Sequence, residues 1–127
     1  MIALLASVAA VQMTFICTPI DEQRRSFPYV VSFERSSDLL RRIWVIWPNG
    51  SQSSDRWKGR IVEGKFVVRS QKDTVTKELT LSSSPTKAGQ GTLNYYFAVT
   101  GGHIPMQQTD EANCFVRAAE TARNAGQ

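Results

Sequence analysis

From Met13 to Val99 the chain alternates apolar and polar residues in short runs, each ended by residues that favour turns. Successive side chains of an extended strand point to opposite faces, so each run predicts one strand with a single buried face. The intervals between runs leave little room for crossover helices, which predicts an antiparallel meander. Met13 to Thr18 is the first strand, ended by Pro19. Phe27, Tyr29, Val31 and Phe33 form the inward set of the second, and Pro28, which cannot donate to a ladder, belongs at its start or on an edge. Leu39 to Trp47 follows, with Ile43, Val45 and Trp47 on one face and Arg42, Trp44 and Ile46 on the other; Pro48-Asn49-Gly50 ends it through turn chemistry.

The clearest local unit is Arg56 to Ser70, where Glu63-Gly64 separates two alternating runs as a two-residue hairpin turn does. That turn pairs Val62 with Lys65, Ile61 with Phe66, Arg60 with Val67 and Lys58 with Arg69. Trp57, Gly59, Ile61, Phe66 and Val68 then share the core face. A slip of one residue would expose that set, so burial fixes the register. Val75 to Leu81 gives a further strand, with Val75, Leu79 and Leu81 inward and Lys77 breaking the pattern; Leu93, Tyr95, Phe97 and Val99 give another after a Ser-Pro-Gly loop. The C-terminal piece changes period. Ala112, Phe115, Val116, Ala119 and Ala122 follow helical spacing, Thr109 can cap the start, and Asp110 and Glu111 suit a helix N-terminus. A closing strand over Asn113 to Arg117 is the competing pattern. The expected fold is therefore mainly β, a single-domain antiparallel meander of about six strands in a small barrel or sandwich with a C-terminal α-helix.

Residues 1–10, Met-Ile-Ala-Leu-Leu-Ala-Ser-Val-Ala-Ala, form an uncharged apolar run ending in small residues, as the core and cleavage region of a signal peptide do, although no Lys or Arg precedes it. This predicts an exported, periplasmic or secreted domain over residues 11–127, or a cytoplasmic one if the run stays in the fold. The longer apolar run from Ile2 to Ile16 is interrupted by Gln12 and Thr14 and falls short of the ~20 residues of a bilayer span, so no transmembrane anchor is expected. Two cysteines near the ends of the exported part, Cys17 and Cys114, predict a disulfide worth about 4 to 5 kcal/mol by closing a long loop.

No catalytic pattern emerges. The single histidine, His103, lies in a loop, no serine sits in a nucleophile elbow, and neither phosphate-loop motif occurs. Asp21, Glu22, Asp38, Asp55, Glu63, Asp73 and Glu78 fall in turns or beside basic residues and read as solvated carboxylates. One histidine and two bridged cysteines do not make a zinc site, so no metal or cofactor is expected. These exclusions point away from an enzyme, except one whose site is scattered through the sequence.

The net charge of +4, from 15 Lys/Arg against 11 Asp/Glu, is modest and interspersed. Its one local concentration is the outer face of the hairpin, Arg56, Lys58, Arg60, Lys65 and Arg69, where cations on adjacent strands repel unless something anionic lies near. A solvated face that discourages edge pairing is the plainer explanation and outweighs a binding site. Trp44 adds a candidate exposed anchor. These residues predict a module that binds an envelope protein or an anionic surface polymer. Nucleic acid fits less well, because the aromatic residues that bases would stack on face the core. A carrier holding a small apolar ligand among the inward aromatic residues is the alternative. In outline, a small exported β domain with one disulfide resembles periplasmic inhibitor modules such as the lysozyme inhibitors, but none of that family's motif strings occurs and no residue role carries over.

Overall fold

The computed structural model describes residues 10–21, 23, 27–101 and 106–120. His103, Glu22 and all of the expected leader except Ala10 lie outside the described residues. Eight strands follow in chain order: β1 Val11–Pro19, β2 Tyr29–Ser36, β3 Leu39–Ile46, β4 Lys58–Val62, β5 Lys65–Lys72, β6 Val75–Ser83, β7 Gln90–Val99 and β8 Met106–Glu120. Each pairs antiparallel with the next, and β8 pairs with β1 to close a barrel.

Two expectations are corrected here. The strand count is eight rather than about six, and the C-terminal segment is strand rather than α-helix. In β8, Asp110, Ala112 and Cys114 are buried and alternate with exposed Glu111, Asn113 and Phe115, a period of two. Phe115, expected on the apolar stripe of a helix, is 68% exposed. Backbone pairing explains the outcome: β8 supplies the partner for the free edges of both β1 and β7, which a helix cannot do. Phe27 is also corrected, since it precedes β2 and is exposed rather than inward.

The predicted hairpin is present in its predicted register, from Val62↔Lys65 to Lys58↔Arg69. Glu63 and Gly64 both have positive φ, 50° and 78°, as the twist of a two-residue hairpin requires. In β3 one extra residue is inserted opposite Phe33, with Arg42 at φ 53°, so Leu40 and Val45 both reach the interior despite their odd separation.

A barrel of eight strands has an interior just wide enough for side chains to fill. Towards the end that holds the β2–β3 and β4–β5 turns, Phe15, Phe33 and Phe66 pack with ring centroids 5.2–6.0 Å apart, and the Arg35 guanidinium lies 5.5 Å from the Phe66 ring. Leu79, Leu81, Leu93, Val31 and Val68 complete this core, all fully buried. Cys17 and Cys114 face each other across the closing seam of β1 and β8 and are joined by the expected disulfide.

Candidate functional site

The hairpin carries its cations on the outside wall. Lys58 and Arg60 on β4, and Lys65 and Arg69 on β5, occupy outward positions and are exposed. Lys58 stands directly across from Arg69, where like charges are destabilising, by ~0.6 kcal/mol at about 7 Å in water. Arg69 reaches Glu78 on β6 at 3.9 Å and Gln71 at 3.3 Å. Among the described residues no ion pair neutralises Lys58, Arg60 or Lys65. β5 is laddered to β4 over Lys65–Arg69 and to β6 over Phe66–Lys72, so Lys65 and Arg69 lie on a strand paired on both sides rather than on an open edge. The outward charged positions on the opposite wall, β7, β8 and β1, are by contrast Glu111 and Arg117.

The two remaining predicted residues lie elsewhere. Arg56 is exposed in the β3–β4 connection, at the barrel end. Trp44 is 43% exposed and points outward on β3 beside Ser32 of β2; the β3–β4 ladder consists of Leu39↔Arg60 and Leu40↔Gly59, so Trp44 lies beyond the part of β3 that pairs with the cationic hairpin. Nearby Arg42 pairs with Glu34 at 3.8 Å.

A second constellation was not visible as a site in the sequence. Because β3 and β4 pair so briefly, the connection between them folds back on β3 through Ser53 N–H to the Val45 carbonyl (2.8 Å) and Trp47 N–H to the Ser51 carbonyl (2.9 Å). It then dips into the barrel mouth. Asp55 accepts hydrogen bonds there from Lys77 Nζ at 2.9 Å and from Ser53 Oγ at 2.7 Å, while Trp57 Nε1 donates to Ser53 Oγ at 3.2 Å. Lys77 occupies an inward position on β6, opposite buried Ser70 on β5, and its ammonium lies 5.5 Å from the Trp47 ring. What breaks the alternation of β6 is thus a cation with a dedicated partner. Asp55, read as solvated, is instead largely enclosed.

The electrostatics follow from that geometry. Burial works to raise the Asp55 carboxyl, but hydrogen bonds from Lys77, Ser53 and Ser70 and the Lys77 charge outweigh it and hold it below its ordinary value. The Tyr95 hydroxyl is pushed up to about 12 by burial and then by the Asp55 charge. Tyr95, Trp47, Trp57 and Tyr29 form a connected set of rings 5.2–6.2 Å apart across the mouth. Beneath them Tyr29 donates to buried Asp110 at 2.6 Å.

Two concavities open beside this cluster, of about 290 Å³ and about 390 Å³, and both are lined by Asp55, Ser70 and Lys72. A third, of about 580 Å³, lies on the β6–β7 shoulder among Ser82, Ser84, Thr92 and Asn113. Among the described residues no group of three His, Cys, Asp or Glu side chains is placed to hold a metal ion. No family model, curated protein or solved structure matches this chain.

Proposed function

We propose that this protein is a non-enzymatic exported module that binds an anionic macromolecular surface through the outer wall of β4 and β5. The observation that carries the reading is Lys58 set against Arg69 in register, flanked by Arg60 and Lys65, with Glu78 the one carboxylate that pairs with the group among the described residues. Such a wall attracts a polyanion over about a Debye length and gains when the partner's charges replace that carboxylate's partial screening. The disulfide supports an oxidising compartment, periplasmic or extracellular. The same cations stand where a membrane-spanning barrel needs an apolar band, which favours an aqueous face. The rings packed along the barrel axis favour surface binding over carriage of an apolar ligand inside.

The test is retention on a polyanion resin at low salt. Wild type is expected to bind and to elute early as salt rises, and a Lys58→Glu, Arg60→Glu, Arg69→Glu variant to pass through while keeping its circular dichroism spectrum. Equal retention of the two removes this wall from consideration.

A further inference from the structure

The mouth groove and the cationic wall are one continuous surface. Along β5 the outward residues run Lys65, Val67, Arg69 and Gln71, and Gln71 lines the groove with Arg56 and Lys72. From Lys65 to Lys72 a strand advances about 23 Å. A partner lying along that line meets cations first and then, at the mouth, a different chemistry.

In the groove, Asp55 is already neutralised by Lys77 at 2.9 Å, so its free lone pairs accept hydrogen bonds without repelling an anion strongly. Ser70, Ser54 and Gln71 supply hydroxyl and amide groups, and Thr74 lines the adjoining concavity. Arg56 and Lys72 are exposed at the rim, and among the described residues neither has an ion-pair partner. Asp73 is the remaining carboxylate at the edge. A site with two free cations and several neutral hydrogen-bonding groups matches a ligand that carries a carboxylate on a polyhydroxylated ring. Phosphate chains offer charge without hydroxyls, and exposed aromatic platforms for bases do not line either concavity.

We propose that the anionic partner is an acidic polysaccharide, and that the groove between Arg56 and Lys72 takes one of its sugar-acid units while the chain continues along β4 and β5. This rests on the reading of the β4–β5 wall as the binding face. The hydroxyls of the unit bond to Ser70 and to the Lys77-paired carboxylate of Asp55, and its carboxylate meets Arg56 and Lys72.

The experiment titrates the full chain at low salt with trigalacturonate, its fully methyl-esterified form and long-chain polyphosphate. Wild type is expected to bind trigalacturonate, with the ester at least about tenfold weaker because its charge is gone. Arg56→Ala with Lys72→Ala, both exposed and so compatible with folding, is expected to weaken trigalacturonate by about tenfold or more and polyphosphate by less than about twofold. Arg56→Lys with Lys72→Arg restores trigalacturonate binding. Arg60→Glu with Lys65→Glu, at the far end of the wall, gives the reverse pattern. Trigalacturonate bound equally by wild type and by Arg56→Ala/Lys72→Ala, or the ester bound as well as the acid, overturns the groove assignment and leaves the wall standing. Wild type that holds trigalacturonate but not polyphosphate, or polyphosphate bound equally by wild type and by Arg60→Glu/Lys65→Glu, overturns the wall, and with it the continuous path.

Discussion

Replacing Asp55 with asparagine keeps the size of the side chain and an acceptor for Ser53 but removes the charge opposite Lys77. At 2.9 Å two unit charges attract by ~1.4 kcal/mol at the dielectric of water and ~6 kcal/mol at an effective dielectric of 20. The Lys77 and Asp55 side chains are 25% and 18% exposed, between those limits. Desolvation of both groups offsets much of the attraction, but the variant leaves Lys77 enclosed without its counter-charge, and the net loss is about 2 kcal/mol. For a domain of this size that lowers the melting temperature by about 8 °C. The pH dependence is equally specific. The folded Asp55 carboxyl titrates below its unfolded value, so the pair contributes fully above about pH 4 and its contribution is lost as acid protonates the folded carboxylate. Urea denaturation of wild type and Asp55→Asn is therefore expected to differ at pH 7, and the gap to shrink as the pH falls below the ordinary carboxylate range. Equal midpoints at pH 7, or a gap unchanged in acid, refute the argument that this pair holds the β3–β4 connection in the mouth.

Tyr95 gives an independent check, because an ultraviolet titration of wild type should show one tyrosine ionising near about 12, and earlier in Asp55→Asn, where the neighbouring negative charge is missing. Its raised pKa makes stability fall as pH climbs from about 10 to 12. Reducing the disulfide, which spans 97 residues across the closing seam, is expected to cost about 4 kcal/mol in a denaturation experiment with and without reductant; a change under about 1 kcal/mol contradicts its role in closure. A Cβ at Gly59 meets Leu40 Cβ at 2.8 Å and Ile43 Cδ1 at 2.9 Å, so Gly59→Ala should cost about 1–3 kcal/mol by overpacking. Gly91→Ala should cost more, because its Cβ collides with the Ser82 carbonyl of the paired strand, which cannot turn aside as a side chain can.

The parts of this fold that were legible in the sequence are those whose partners are close along the chain. The β4–β5 hairpin needs only Glu63-Gly64 and the pattern on either side, and its register and outward cations follow. β8 misled because its alternation is written in weak letters. Its inward residues are Asp110, Ala112, Cys114 and Val116, and alanines fit a helical stripe as readily as a strand. The inward aspartate reads as a charge suited to a helix N-terminus until Tyr29, 81 residues away, is seen to bond it. Lys77 is the same case. A lysine at an inward position was noticed as an irregularity, but its explanation, Asp55, arrives from a connection 22 residues earlier that no periodicity describes. A charged residue interrupting an otherwise consistent inward set is the signal that points to such a site. The separation of Trp44 from the hairpin depends on the length of the β3–β4 ladder and the bulge at Arg42, which are properties of the closed barrel rather than of either strand.

In the proposed binding mode the β4–β5 wall, and not the opposite side of the barrel, meets the anionic partner. Amide chemical-shift mapping during titration with polygalacturonate tests it most directly. Shifts centred on Lys58, Arg60, Lys65 and Arg69 that extend to Arg56 and Lys72 and are abolished by salt are expected. Shifts centred on β7, β8 and β1, or no shifts at low salt, contradict it.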